Sequence, residues 1–149
     1  MDTSDVEVLL VEDNPNDVKL ALHAFKKHNF VNQVRVVRDG AEALEFLFCT
    51  DRYAARQMHN GPKVILLDLK LPLVDGLDVL KRVKGDPRTQ PIPVVVMTSS
   101  REESDIVDSY KLGVNSYIVK PVDFEQFTEV VRQLGYYWLL LNQPPSIGE

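Results

Sequence analysis

An aspartate at the end of an apolar run is the first residue of this chain that could do chemistry. Asp68 follows the run 64–67 in the stretch "VILLDLKLP". A carboxylate beside a buried strand costs free energy unless it is paired, binds a metal or lies where the strand leaves the core. Three other apolar runs also end in polar residues, which are Glu12 and Asp13, Thr98 and Lys120.

The types of these five residues suit phosphoryl chemistry if the fold brings them together. Crowded carboxylates repel one another and raise some of their pKa values unless a divalent cation shares them. Carboxylate oxygens at an open cleft are typical ligands of Mg²⁺. Asp68 would attack phosphorus as a nucleophile, Lys120 would neutralise charge on the transferred group, and Thr98 would donate a hydrogen bond to it. Taken singly, each residue has a simpler interpretation, such as an acidic helix start or a solvated lysine.

Alternation of apolar runs with helical spacing predicts the elements that must position these side chains. Five runs predict strands at 6–13, 33–39, 63–69, 93–99 and 115–120. Between and after them, apolar residues recur at steps of three and four, as in an amphipathic helix. We therefore predict an α/β fold: a flavodoxin-like, doubly wound, five-stranded parallel sheet in the order 2-1-3-4-5, with five helices and an extended last helix. Its carboxyl edge would gather the five candidate residues.

Composition limits the class of protein. With 149 residues and 44% hydrophobic content, we expect residues 1–149 to form a single domain, with a core of about 6–128 and a helical extension of about 129–143. A net charge of -5 disfavours binding to nucleic acid, and the apolar runs are too short to span a membrane. A single cysteine, Cys49, favours a reducing compartment, so we expect a cytoplasmic protein.

Over residues 6–128 the chain resembles the receiver domains of bacterial two-component response regulators. The matching stretches are "VLLVEDNPND", "VRDGAEALEFL", "VILLDLKLPLVDGLDVL", "IPVVVMTSS" and "GVNSYIVKPVD". This resemblance implies that Asp68 accepts a phosphoryl group from a sensor histidine kinase. It also implies that Mg²⁺ is bound by Glu12, Asp13, Asp68 and the backbone carbonyl of Lys70, and that Lys120 contacts the phosphoryl group.

The resemblance further implies a switch and a non-enzymatic function. Thr98 would move toward the phosphoryl group while Tyr117 turns inward behind it. The chain would only phosphorylate itself and slowly lose that group at Asp68, rather than turn over a separate substrate. The motifs "DLKLP" and "TSS", the long connection before the third strand and the tail "YYWLLL" are most similar to single-domain regulators that partner cyanobacterial phytochromes.

A heptad-like seam in the last helix and beyond it suggests a homodimer. The predicted interface consists of Phe127, Val131, Leu134, Tyr137, Trp138 and Leu141. Gly135 argues against one rigid helix through this region. About 20 residues follow residue 128, too few for a three-helix DNA-binding module, so we expect signalling through contacts with an unknown downstream protein.

Three other functions remain open from the sequence alone. A haloacid dehalogenase-like aspartyl-phosphate hydrolase would normally have a second acid two residues after the nucleophile, where this chain has Lys70. A flavin- or nucleotide-binding module would need a phosphate-binding loop, but "EDNPND" lacks glycine. A degenerate receiver that acts only as a protein-interaction module would not need the full set Asp68, Thr98 and Lys120.

Overall fold

The structure is a computed structural model that describes residues 6–29, 33–57, 61–120 and 123–135. Its strands are β1 (Val8–Val11), β2 (Val34–Val37), β3 (Val64–Leu67), β4 (Val94–Thr98) and β5 (Ser116–Val119). Its helices are α1 (Pro15–Lys27), α2 (Gly40–Phe48), α3 (Gly76–Gly85), α4 (Glu103–Lys111) and α5 (Phe124–Leu134), with a 3-10 turn at Asp51–Tyr53. All four strand pairs are parallel, and the sheet order is β2-β1-β3-β4-β5. The predicted fold is confirmed.

Local sequence explains where the helices begin. Asn14 caps α1, with its side-chain oxygen accepting from the amides of Asn16 and Asp17, and Pro15 follows at the first helical position. Asp123 caps α5 in a reciprocal capping box with Gln126. Because each cap lies within four residues of a strand end, the caps fix the start of each helix beside the carboxyl edge of the sheet.

Two apolar clusters cover the two faces of the sheet. One joins the sheet to α2 and α3 through residues such as Phe46 and Leu80. The other joins it to α1 and α5 through Phe25 and Phe127. The central strands β1 and β3 are buried along their whole length, as expected for parallel strands covered on both faces.

The predicted dimer seam is wrong for its first three residues. Phe127, Val131 and Leu134 are buried in the cluster between the sheet and α1, where Val131 has no exposed area. Their spacing of three to four residues forms the core-facing stripe of α5, so these side chains face this chain's own core. Tyr137, Trp138, Leu141 and the remainder of the predicted helical extension lie outside the described residues.

The connection between α2 and β3 is less loop-like than its polar composition predicts. Tyr53 in the 3-10 turn is 6% exposed, and its ring meets that of Phe46 edge-on, with centroids 5.0 Å apart. Its hydroxyl donates to Glu42 at 2.7 Å and accepts from Arg35 at 2.8 Å. One aromatic side chain therefore anchors this segment to the edge of the sheet.

Candidate functional site

The strand register brings the predicted acidic residues together. Val11 pairs with Leu67, so the residues that follow, Glu12 and Asp68, leave neighbouring strands side by side. The Asp68 amide donates to the Val11 carbonyl at 3.0 Å and continues the ladder by one bond. Both carboxylates are largely buried, at 4% and 6% residue exposure. Asp13, which follows Glu12, is exposed.

Lys120 enters this group of acids from β5. Its amide donates to the Thr98 carbonyl at 2.8 Å, which continues the β4–β5 ladder past the last strand residue. Its ammonium nitrogen lies 2.5 Å from Oε1 of Glu12, 2.7 Å from Oδ2 of Asp17 and 3.2 Å from Oδ2 of Asp68. The three contacts balance part of the negative charge at the carboxyl edge of the sheet.

Burial and charge change the acid–base properties of this group. Burial raises the pKa of Glu12 to about 7, although the hydrogen bond from Lys120 opposes that shift. Burial alone would lower the pKa of Lys120, but hydrogen bonds to Asp17 and Glu12 outweigh it and raise the value above its usual range. Lys120 is therefore a fixed positive charge at neutral pH, whereas Glu12 titrates near neutrality.

The acids also fit a divalent cation. Oxygen atoms of Glu12, Asp13 and Asp68 lie within 4.8 Å of one another, so one ion can reach all three. Three carboxylate oxygens are the hard ligands that Mg²⁺ and Mn²⁺ accept, and the exposed position of Asp13 leaves room for water. The Lys70 amide donates to Oδ1 of Asp68 at 3.1 Å, while a contact of its carbonyl with a metal remains a prediction.

Thr98 and Tyr117 lie behind the acidic group on neighbouring strands. Thr98 ends β4 and is fully buried. Tyr117 in β5 pairs with Val96 of β4, and its ring packs against the α2–α3 side of the core. The Tyr117 hydroxyl donates to the Ser100 carbonyl at 3.1 Å, so in this structure the ring is already turned inward.

Two glycines hold the loop that follows Asp68. A Cβ at Gly76 would lie 2.4 Å from the Asp68 carbonyl oxygen, and one at Gly40 would lie 1.9 Å from the Val74 carbonyl oxygen. The Gly76 amide donates to the Leu69 carbonyl at 2.9 Å. The starts of α3 and α2 thus press directly against the backbone of this loop. Only glycine permits so close an approach.

Sequence reasoning missed Asp17 as part of the site. The stretch "EDNPND" contains this third acid, but it lies inside α1, five residues after Glu12, and no strand end identifies it. The first turn of α1 carries its side chain back over the sheet edge to Lys120. A carboxylate in the first turn of a helix that starts at a strand end is the only signal the sequence offers.

The sequence model of the response regulator receiver domain matches residues 8–132. Together with the fold, this match decides the family. The chain belongs to the response regulator receiver domain family. It is a two-component response regulator, and the alternative of a haloacid dehalogenase-like hydrolase is overturned. Receiver domains are in general signalling proteins rather than enzymes. Every helix of the receiver within the described ranges is too short or too polar to cross a membrane.

Similar proteins include other response regulators, among them a cyanobacterial phytochrome response regulator. The receiver is 36% identical to the response regulator Rcp1 of Synechocystis over 89% of this chain and 88% of the relative. The Mn²⁺-bound structure of Rcp1 matches with a TM-score of 0.81 and 35% identity, over 94% of this chain and 99% of the other. The phosphorylated cyanobacterial phytochrome response regulator RcpA matches with a TM-score of 0.83 and 40% identity, over 95% and 99%.

A third relative is more similar in sequence. The bacteriophytochrome response regulator AtBRR is 54% identical to this receiver, covering 93% of this chain and 98% of the other, with a TM-score of 0.73. All three similarities extend over nearly the whole of both chains. The receiver is therefore homologous to phytochrome response regulators over its full described fold.

Proposed function

We propose that Asp68 is the phosphoacceptor of this receiver, and that Lys120 and Thr98 hold the transferred group. One observation carries this proposal. The Asp68 carboxylate lies at the carboxyl edge of the central strand, with the Lys120 ammonium 3.2 Å from its Oδ2. Its Oδ1 accepts from the Lys70 amide, which orients the carboxylate. A buried carboxylate fixed in this way is preorganised for in-line attack on phosphorus.

The proposed reaction moves a phosphoryl group from nitrogen to oxygen. A carboxylate oxygen of Asp68 attacks the phosphorus of a phosphohistidine, the phosphorus–nitrogen bond breaks, and the imidazole leaves with the bonding electron pair. The product is an acyl phosphate on Asp68, which water later cleaves to the free carboxylate and inorganic phosphate. Mg²⁺ held by Glu12, Asp13, Asp68 and the Lys70 carbonyl would neutralise charge on the phosphoryl oxygens. Lys120 supplies a further positive charge to the same oxygens.

The donor in this proposal is a sensor histidine kinase of the phytochrome type. Support comes from homology to Rcp1, RcpA and AtBRR over nearly the whole chain. A cytoplasmic location belongs to the same proposal, and it is consistent with the free Cys49. Transfer from a purified phytochrome kinase should be much faster than transfer from an unrelated histidine kinase, measured as radiolabel moving to the receiver. Equal rates would reject the phytochrome pairing, but they would not affect the assignment of Asp68 as the phosphoacceptor.

The conformational response would start at Thr98 and Tyr117. A phosphoryl group would draw the Thr98 hydroxyl toward it and change the loop that carries the Ser100 carbonyl, to which Tyr117 donates. We expect ring NMR signals of Tyr117 to shift on phosphorylation, and not to shift in Thr98→Val, which lacks the hydroxyl. Identical spectra in both states would reject this coupling.

Intact mass tests the phosphoacceptor directly. Incubation with acetyl phosphate and Mg²⁺ should add one phosphoryl group to the wild type. Asp68→Asn or a chelator should abolish it. Asp78→Asn is the matched control, because Asp78 is exposed on α3 and should leave the adduct unchanged. If the adduct persists in Asp68→Asn, a residue other than Asp68 is the phosphoacceptor. If the wild type forms no adduct, the result favours a degenerate receiver.

A homodimer is the remaining part of this proposal, and it now depends on Tyr137, Trp138 and Leu141. The aromatic surplus of "YYWLLL" after the core-facing part of α5 supports it. Light scattering should give a mass above that of one chain, and Trp138→Ala should lower it. A monomer mass at high concentration, with and without phosphorylation, would exclude the dimer.

A further inference from the structure

The loop that joins β3 to α3, residues 68–75, presents one large apolar side chain to solvent. Leu73 is 81% exposed, whereas the next most exposed large apolar residue within the described ranges, Tyr110 on α4, is 52% exposed. Leu73 lies five residues after the proposed phosphoacceptor Asp68. Because most of its surface stays in water, the Leu73 side chain contributes little to the stability of the core.

The backbone at Leu73 is also in an unfavourable conformation. Its φ is 68°, and the Val74 amide donates to the Pro72 carbonyl at 2.8 Å, so Leu73 is the central residue of a γ-turn with positive φ. Turns of this kind are rare and strained, because positive φ crowds the Cβ against a neighbouring carbonyl oxygen. Glycine adopts positive φ without this cost, and asparagine adopts it more readily than leucine. Leucine is therefore an unfavourable residue for this turn.

The anchoring of the loop explains the turn but not the leucine. The Gly40 amide donates to the Pro72 carbonyl at 3.3 Å, and the Gly76 amide donates to the Leu69 carbonyl at 2.9 Å. Both bonds join backbone groups, so they fix the course of the chain through position 73 whatever side chain it carries. Backbone strain that the surrounding structure fixes in this way clusters at active sites and ligand-binding sites. The strained turn holds the Leu73 side chain outward beside the candidate site.

A protein that donates a phosphoryl group to Asp68 has to approach this loop. The Asp68 side chain is only 7% exposed, so a phosphohistidine can reach it only if the surface around that histidine comes down onto the loops at the carboxyl edge of the sheet. The β3–α3 loop leaves the sheet at Asp68 and returns beside it, where Gly76 packs against the Asp68 backbone. The loop is therefore part of the surface that a protein donor covers.

We propose that Leu73 is a docking residue for the sensor histidine kinase, and that it inserts into an apolar recess beside the phosphohistidine of the kinase. This inference rests on the proposed function, since it concerns the protein donor to Asp68. A side chain on a fixed backbone loses little conformational freedom when it binds. Lys70 in the same loop has a side chain that is 61% exposed, and its positive charge complements a partner surface that carries an anionic phosphohistidine.

Unfolding of the free receiver tests whether Leu73 serves the fold, and it needs no phosphorylation. Leu73→Asn introduces a side chain that tolerates positive φ, so its urea midpoint should equal or exceed that of the wild type. Leu73→Ala keeps a Cβ in the strained turn and removes the exposed apolar atoms, so its midpoint should match that of the wild type. Midpoints clearly below the wild type in both variants would show that the side chain stabilises the fold, and would overturn the proposal.

Transfer of radiolabel from an autophosphorylated phytochrome histidine kinase tests the contact itself. At limiting receiver concentration, Leu73→Ala and Leu73→Asn should each lower the transfer rate by about five- to thirtyfold, through a higher half-saturating receiver concentration. Their rates of adduct formation with acetyl phosphate and Mg²⁺ should match the wild type, because a small donor does not need the loop. Tyr110→Ser is the matched control and should leave both rates unchanged, since Tyr110 is an exposed apolar residue near the end of α4, toward the opposite edge of the sheet.

The two donors separate the possible outcomes. If the Leu73 variants accept label from the kinase as fast as the wild type does, the docking contact is overturned and the proposed function stands. Equal losses with both donors would also overturn it, because Leu73 would then act on the chemistry at Asp68. Transfer to the wild type from acetyl phosphate but not from the kinase would overturn docking of this class of donor. A wild type that accepts from neither donor would instead reject the proposed function.

Discussion

The ammonium group of Lys120 lies 2.7 Å from Oδ2 of Asp17, so the lysine that faces the phosphoacceptor is also held from the first turn of α1. This contact is as short as a charge-assisted hydrogen bond, and it competes with Asp68 for the same three ammonium protons. Asp17 therefore determines where the charge of Lys120 lies before phosphorylation. Through Asp17, the first turn of α1 is therefore part of the candidate site.

Asp17→Asn should destabilise the receiver by about 0.5–1.5 kcal/mol, because a hydrogen bond to a charged, mostly buried lysine is weakened. Urea unfolding at neutral pH measures this change. Asp78→Asn is the control, since Asp78 occupies the same third position of α3 and is exposed. A loss no larger than that of Asp78→Asn would show that the Lys120 contact contributes nothing beyond the helix dipole.

Asp13→Asn should weaken Mg²⁺ binding by about tenfold or more, because it removes one of three anionic oxygens from a hard-cation site. Calorimetric titration with Mg²⁺ at neutral pH gives the affinity of each variant. Asp108→Asn changes net charge by the same amount far along α4 and should retain wild-type affinity. If both variants bind equally well, Asp13 is not a ligand.

Ionisation of Glu12 should lower the stability of the fold as pH rises. An ordinary paired carboxylate has the opposite effect. Its pKa is raised from 4.5 to about 7 by burial, so between these values the folded state binds more protons than the unfolded state. The free energy of unfolding should therefore fall as pH rises from about 4.5 to 7, by no more than about 3 kcal/mol.

Denaturant unfolding in a chelator buffer tests this pH dependence. Glu12→Gln, which cannot ionise, should show a flatter profile over the same interval than the wild type. Parallel profiles would mean that Glu12 ionises normally in the fold. Added Mg²⁺ should flatten the wild-type profile as well, because a bound cation favours the ionised carboxylate.

Gly76→Ala should destabilise the receiver by about 2–3 kcal/mol and lower the rate of adduct formation at Asp68. The added Cβ meets backbone atoms of Asp68 and Leu69 at 2.4 Å, and backbone next to the acceptor cannot move aside cheaply. Gly85→Ala at the other end of α3 has open space around its Cβ and should be neutral or stabilising by up to about 1 kcal/mol. Thermal unfolding of the two variants provides the comparison, and equal effects would contradict the close packing.

Sequence alone determined the elements and the strand-end residues of this receiver. Short apolar runs bounded by polar residues define β1 to β5, and the carboxyl ends of parallel strands must share one edge. That rule predicts that Glu12, Asp13, Asp68, Thr98 and Lys120 lie together at one edge of the sheet. Helix caps at Asn14 and Asp123 were equally local, since a cap depends only on neighbouring backbone amides.

Only the tertiary structure decided the contacts that depend on distances between elements. The spacing of Phe127, Val131 and Leu134 fits a core-facing stripe and a dimer interface equally well. Periodicity shows which residues share one face of a helix, but it does not show what that face packs against. The contact of Asp17 with Lys120 and that of Asp105 with Ser100 depend on how far α1 and α4 tilt over the sheet edge. Sequence spacing carries no information about that tilt, since packing of side chains between layers sets it.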